Sequence, residues 1–346
     1  MHITLFLPAP FDMVSGGYEY DRRMVAGLSA TGHVVKVVEL AGSHPLTDRA
    51  ATEAARDAWA NLPADTRPVI DGLALPAFAA LGSELAARGT VGLIHHPTAL
   101  ETGLPENVQA DLDAIERHLF QCLGRAIVTS DPTAEQLAGN FGVRRDRIAV
   151  VVPGTEDAPR SVGSGGAVCR VLSVGTLLPR KGHDVLMRAL ARLFDLNWHL
   201  TIVGAADRDP VHADGLVALA GELEIAGRVD FAGEVTGPAL EALWQGADLF
   251  ALATHFEGYG MAVAEALKRG LPVAVTAGGA AGALVPVEGG VVCPPGDVGG
   301  LSKAMRRLIF SPALRHDMAE TAWLAGQALP SWESQCRAFA SALDTK

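Results

Sequence analysis

The sequence predicts an α/β protein made of two doubly wound parallel sheets, and three observations carry that expectation. Short apolar runs alternate with helix-length amphipathic segments, the pattern of repeated βα units. The alternation breaks once, at "TEDAPRSVGSGGA" (155–167), which is rich in Gly, Ser and Pro and has no apolar period. The length of 346 residues, 49% of them hydrophobic, suits two domains, each with its own core.

In the first half, "HITLFL" (2–7) and "VVKVVE" (34–39) read as strands, with a helix between them over 17–30. A helix over 48–60 leads to a strand at 68–71, and a helix over 76–87 to a strand at 91–95. A helix over 104–122, a strand at 125–129, a helix over 132–140 and a strand at 148–152 complete this half. The apolar runs are of strand length and the amphipathic segments are longer, so the sheet is expected to be parallel and covered on both faces. After the break, strands are expected at 169–175, 199–204, 229–232, 248–252, 272–275 and 290–293. Helices fit between and after them, over 182–194, 211–224, 237–245, 260–269, 298–309, 312–326 and 331–343. Ligands of such sheets bind beyond the carboxyl ends of the strands, so a cleft between the two halves is the expected site.

A formal net charge of -11 argues against nonspecific nucleic-acid binding, which needs a basic surface, and weakens the case for docking on anionic lipid. Gly, Pro or charge interrupts every apolar run before membrane-spanning length, and "HITLFLP" lacks the marks of a signal peptide. Cys122, Cys169, Cys293 and Cys336 are far apart and form no Cys-x-x-Cys pair, which fits free thiols in a reducing cytoplasm.

Chemistry concentrates in two stretches of the second half. In "VLSVGTLLPRKGHDVLMRAL" (171–190), Arg180 and Lys181 stand beside an expected helix N-terminus, where free N–H groups and cations together suit an anion; a solvated basic turn is the alternative. In "HFEGYGMAVAEALKRG" (255–270), Glu257 precedes a Gly258-Tyr259-Gly260 turn, and Glu265 lies among alanines in the next helix. Small neighbours leave room for a ligand, and a carboxylate there suits a ribose diol; a pair with Arg269 one turn on is the alternative.

"EGYGMAVAEAL" resembles the Glu-x7-Glu motif of retaining glycosyltransferase family 4, whose members have the GT-B fold of two Rossmann-like domains facing across a cleft. "VGTLLPRKGHDVLMRAL" looks like the family's diphosphate loop, and "GLPVAVTAGGAAGALVP" and "GGVVCPPGD" like the segments after its motif. "SGGYEYDRRMVAGLSATGHVV" resembles its glycine loop and first helix, and "LIHHPTALETGL" its acceptor-side histidine loop. The resemblance implies that Glu265 holds the ribose, that Glu257 bonds a hydroxyl of the donor sugar, and that Arg180 and Lys181 neutralise the diphosphate. It implies donor contacts from Gly16 and Gly17, from Gly175 and Thr176, from the backbone at Gly258, Tyr259 and Gly260, and from Glu234 and Val235 around the base. Many relatives carry arginine where this chain has Thr176, which leaves more of the diphosphate charge to Arg180 and Lys181.

His95 matches the family's histidine at the reacting centre, and His96 beside it is an acceptor-side candidate. Asp71 ends a strand and is read as touching the acceptor or as capping the following turn. His33, His44 and His118 read as surface or packing residues. The resemblance divides the chain into an acceptor-binding domain (1–155), a linker (156–167), a nucleotide-sugar domain (168–328) and a helix (329–346) returning to the first domain. No metal or other cofactor is expected. Asp111 and Asp113 read as a solvated helix face, and Asp207 and Asp209 as a surface loop. The expected activity is retaining transfer of a hexosyl group from a UDP- or GDP-linked sugar to an acceptor hydroxyl on a small molecule, glycan or lipid. A nucleotide-sugar epimerase and an inactive sugar-nucleotide-binding scaffold are the alternatives on the same fold. The helix "ENVQADLDAIERHLF" (106–120) reads as acidic on its polar face, which disfavours a glycolipid acceptor.

Overall fold

The computed structural model describes residues 1–101 and 103–344. The chain divides into two compact units, one formed by Met1–Gly154 with the segment from Pro330 onward, the other by Thr155–Leu329.

The first unit has six parallel strands: β1 His2–Pro8, β2 Val34–Leu40, β3 Thr66–Asp71, β4 Val91–Ile94, β5 Arg125–Val128 and β6 Ile148–Val150. Their order is β2-β1-β3-β4-β5-β6. Successive strand residues alternate between two cores. Ile3, Leu5, Leu7, Val69, Leu93 and Ile127 face one, while Phe6, Ile70, Ile94, Ala126 and Val128 face the other. Helices therefore cover both faces, and the strands are apolar nearly throughout. Helix Trp332–Asp344 packs on helix Gly16–Ala30. Gly27 makes this close approach possible, because a Cβ there would collide with the Cys336 sulfur.

The second unit repeats the plan: β7 Cys169–Val174, β8 Trp198–Val203, β9 Val229–Gly233, β10 Leu249–Leu252, β11 Val273–Thr276 and β12 Gly290–Cys293. The order is β12-β11-β10-β7-β8-β9, all parallel. Val171, Leu200, Ile202, Leu249 and Ala251 pack into one core, and Leu172, Val203, Phe250, Leu252 and Val273 into the other. Strand order reverses between β1 and β3 in the first unit and between β7 and β10 in the second, and carboxyl-end crevices at such reversals are where open α/β sheets take ligands.

Every expected strand is present to within two residues. The segment expected as one helix over 76–87 is instead a 3-10 turn, Leu75–Leu81, followed by a short α-helix, Gly82–Ala87. Gly82 lies against His118 and Cys122, at 2.9 and 3.1 Å from where its Cβ would be. The helix expected over 182–194 stops at Ala191.

Residues 156–167 carry no helix or strand, yet they lie along the second unit and are fastened to it. Ser161 N donates to the Arg269 carbonyl at 2.9 Å, Gly163 N to Gln245 O at 3.1 Å, and Ser164 N to Asp248 Oδ1 at 2.9 Å. Lys268 pairs with Asp157 at 2.9 Å and Arg160 with Glu320 at 2.6 Å. Low apolar content marked the segment as a linker; side-chain and backbone hydrogen bonds hold it in place. Among the described residues, no helix is long and apolar enough to cross a membrane.

Candidate active site

In the second unit, the chain leaving β7 runs through Gly175 and Thr176 into a 3-10 turn, Pro179–Lys181, and Gly182 then caps helix His183–Ala191. Gly182 has φ +62 and abuts the Ala253 carbonyl, so no side chain fits. The chain leaving β10 returns to the same place. Lys181 Nζ lies 2.5 Å from Glu257 Oε1, and Arg180 Nη1 lies 3.7 Å from the same oxygen. Arg180 also donates to the Phe256 carbonyl at 3.4 Å. The Thr254 hydroxyl lies 2.9 Å from the carbonyls of Arg180 and Phe256 and 3.3 Å from Glu257 Oε1, and can donate to one at a time.

Glu257 is buried, and burial pushes its pKa up; the charges of Lys181 and Arg180 and the hydrogen bonds from Lys181 and Thr254 outweigh this and hold it below the usual value. The carboxylate is therefore anionic at neutral pH. Its backbone is clamped by the glycine pair of the following loop: Glu257 N donates to Gly278 O at 3.1 Å, and Ala280 N to Glu257 O at 2.8 Å. A Cβ on Gly278 or Gly279 would run into the chain at 255–257. Beneath the loop, His183 Nε2 lies 3.2 Å from the Gly175 carbonyl, and burial drives its pKa to about 4, so the ring is neutral.

Tyr259 is buried, which pushes its hydroxyl up to about 12, and Gly260 caps helix Met261–Lys268 at φ +104. Glu265 is half-buried on that helix. The alternative partner, Arg269, ion-pairs with Glu241 at 2.6 Å, donates to the Glu265 backbone carbonyl at 3.2 Å and lies over Trp244. Glu234 and Val235 follow β9, two strands from β7 in the sheet; Glu234 is exposed, and Val235 packs with the Trp244–Phe250 cluster.

In the first unit, two strand ends and a helix bring together a different set. Asp71 ends β3, His95 follows β4, and Asp21 projects from helix Gly16–Ala30. His95 Nε2 lies 3.1 Å from Asp21 Oδ1 and 3.4 Å from Asp71 Oδ2. Asp71 Oδ1 accepts from Leu73 N at 2.9 Å, so it caps the turn with one oxygen and faces the histidine with the other. Gly17 packs against the His95 ring, and Tyr20 meets that ring edge-on at 5.3 Å. Burial lowers the His95 pKa, but the charge and hydrogen bond of Asp21 and the charge of Asp71 raise it further, to a net rise. Burial, then the charge of Asp21, pushes Asp71 up to about 7, against the lowering by His95 and the backbone N–H groups of Leu73 and Ala74.

Gly16 is exposed at the helix start, where Ser15 accepts from Tyr18 N at 3.4 Å. His96 Nε2 lies 2.9 Å from Glu101 Oε2. Glu116, expected on the polar face of its helix, is turned inward. Its carboxylate accepts from Thr98 N and Thr98 Oγ1 at 2.7 Å and from Ala99 N at 2.9 Å, tethering the histidine loop. Asp113 pairs with Arg117 at 3.0 Å on an exposed face, and Asp209 caps helix Pro210–Glu222. The ligating atoms of Asp21, Asp71 and His95 lie within 4.8 Å of one another, close enough together to hold a cation.

Sequence reasoning missed Asp21, Thr254 and Glu116. Asp21 left a trace: it occupies the buried stripe of Tyr18, Met24 and Leu28, where a carboxylate needs a partner. Thr254 left none, because a threonine after a strand is unremarkable until its neighbours are known.

The family model "Glycosyl transferases group 1" matches residues 156–323, nearly the whole of the second unit. The second unit is thus similar to a group 1 glycosyltransferase domain. The resemblance drawn from the Glu-x7-Glu stretch to family 4 is borne out by this domain and by the relatives it shares. A D-inositol 3-phosphate glycosyltransferase of Mycolicibacterium gilvum is 35% identical over 187 residues, 51% of this chain and 41% of that protein. One of Nocardia farcinica is 28% identical over 63% of this chain and 47% of its own length. The chain thus spans about half the length of the curated relatives it matches. Among solved structures, sucrose-phosphate synthase from Thermosynechococcus elongatus superposes with a TM-score of 0.80 at 21% identity, covering 98% of this chain and 97% of that one. Anabaena Alr3699/HepE, solved in complex with UDP-glucose, gives 0.78 at 18% identity, covering 99% of each chain. The group 1 domain and its partner unit therefore have the two-domain GT-B fold.

Proposed function

We propose that the protein is a retaining glycosyltransferase that moves a hexosyl group from a UDP- or GDP-linked sugar to an acceptor hydroxyl without a metal. The observation that carries this reading is the meeting of Arg180 and Lys181 with Glu257 where the group 1 sheet reverses its strand order. A guanidinium and an ammonium stand together beside one buried carboxylate, a donor set suited to a diphosphate. Glu257, ionised and fixed from both ends, is suited to accept a hydrogen bond from a donor-sugar hydroxyl. Glu265 is suited to the ribose diol.

The anomeric C–O bond breaks and the electron pair leaves on the diphosphate oxygen, where the fixed cations and neighbouring backbone N–H groups stabilise the developing charge. The acceptor oxygen attacks from the same face, and its proton passes to the departing phosphate. HepE, solved with UDP-glucose, supports the donor class.

The test is incubation with UDP-glucose and GDP-mannose, with and without chelator, following nucleoside diphosphate release and the anomeric configuration of the product by NMR. Release with an α-linked product is the expected result. Isomerised donor would instead make the protein an epimerase, donor bound but unchanged would make it a scaffold, and an inverted product would end the retaining reading.

A further inference from the structure

We propose that the acceptor is a polyhydroxylated compound without a phosphate group, a conclusion that rests on the glycosyl-transfer reading and on the first unit as the acceptor side. Beyond the carboxyl ends of β1, β3, β4 and β5 the described chain runs through residues 9–15, 72–74, 95–101, 103–105 and 129–130. None of these residues is Lys or Arg, while Asp12, Asp71 and Glu101 stand in or beside them; Asp131, next to Ser130, is paired with Arg145 at 3.8 Å. The two arginines of the adjoining helix are turned to other work. Arg22 donates to the carbonyls of Phe11 and Met13 at 2.8 and 3.0 Å and to Glu19 at 3.0 Å. Arg23 donates to Glu19 at 2.7 Å and lies over the Trp332 ring.

The histidines are matched in the same sense. His95 faces two buried carboxylates through one nitrogen, and His96 faces Glu101. With His95 protonated, the Asp21–Asp71–His95 group is neutral while Asp71 holds its proton and carries one net negative charge once Asp71 ionises above about pH 7, so in neither state does it present a surplus cation. A phosphate ester placed here would meet carboxylates at close range in a partly buried setting, where screening is weak. Hydroxyl groups meet no such repulsion and can donate to the part-exposed Glu101 carboxylate. The curated relatives named for D-inositol 3-phosphate would need, at the equivalent place, cations that these loops do not carry.

The test uses matched acceptor pairs with one fixed nucleotide sugar: myo-inositol and inositol 3-phosphate, glucose and glucose 6-phosphate, glucosamine and glucosamine 6-phosphate. The expected result is a kcat/KM at least tenfold higher for the phosphate-free member of any pair that is used, and a smaller gap in Asp12→Arg, which adds a cation at an exposed position. A phosphorylated member used as well as or better than its partner overturns the proposal. So does a panel in which no phosphate-free compound raises nucleotide release above donor hydrolysis. Calorimetry of UDP and GDP binding separates the two readings. Absent nucleotide binding removes the glycosyl-transfer reading itself, whereas intact binding with preference for phosphorylated acceptors removes only this one.

Discussion

The two units put opposite charges at the same topological address. In each, a parallel sheet reverses its strand order and side chains from two strand ends converge there. The second unit assembles Arg180 and Lys181 around one carboxylate, Glu257. The first assembles two carboxylates, Asp21 and Asp71, around one histidine. A doubly wound sheet therefore fixes where a ligand is taken but leaves its charge to the loops. In the functions proposed above, one address takes an anion and the other takes hydroxyl groups.

Removing the cation that balances the second address is the most severe way to break this contrast. Lys181→Ala takes the nearest cation from the buried Glu257 and leaves it the more distant Arg180 and the Thr254 hydroxyl, so unfolding free energy should fall by about 3 kcal/mol. Affinity for nucleoside diphosphate should be lost with it. The pair Lys181→Met with Glu257→Gln separates the effects: denaturant titration should show recovered stability, while calorimetry shows no recovered nucleotide binding. Recovered binding would mean that the cations serve the fold alone.

Glu265→Ala tests the ribose side of the same address at smaller cost. Nucleotide affinity should weaken by about 1–3 kcal/mol, as for other hydrogen bonds to charged groups. Arg269 keeps its pair with Glu241 in this variant, and denaturant titration checks that the fold is retained. Unchanged affinity for free nucleoside diphosphate in a well-folded variant would remove Glu265 from the site.

At the first address the sign of the pH dependence is the sharper probe. His95 and Asp71 both have raised pKa values in the fold. Each contributes stability that is fully present below its unfolded pKa and is lost as pH rises through its folded value. For Asp71 that window runs from about 4 to about 7, and for His95 it begins near 6.5. The groups facing the ring are Asp21, Asp71 and the edge of Tyr20. Asp21→Asn removes the leading contribution that raises His95 and the charge that helps raise Asp71. Wild type should therefore lose more stability between pH 5 and pH 8 than the variant, and NMR titration should show the His95 pKa falling in Asp21→Asn. Equal pH slopes would mean that Asp21 does not set the charge of the histidine.

The smallest expected effect is that of a chelator. Nucleotide binding should be unchanged by it, because Arg180 and Lys181 supply the positive charge. If manganese were needed to restore binding, Asp21, Asp71 and His95 would be the residues to examine, and the Asp-x-Asp pairs would not, since Asp113 is paired with Arg117 and Asp209 caps a helix.

The sequence by itself determined the elements. Apolar runs of strand length and amphipathic segments of helix length placed every strand to within two residues, because hydrophobic periodicity is a local property of a chain that must bury both sheet faces. It also exposed residues with special local chemistry, such as the Arg180–Lys181 pair at a helix start and the glycines around Glu257. Only the tertiary structure decided which distant residues share a proton or a charge. Lys181 and Glu257 are 76 residues apart, and Asp21 and His95 are 74 apart. Thr254 became part of the site by its distance from Arg180 and Glu257, and Glu116 left its expected polar face to hold Thr98 and Ala99. The segment 156–167 has the composition of a free linker, and its fastening to the second unit depends on carbonyls and carboxylates from residues 245–320. Periodicity is written into neighbours along the chain, whereas a pairing energy depends on burial and on the partner that the folded sheet brings to within a few ångströms.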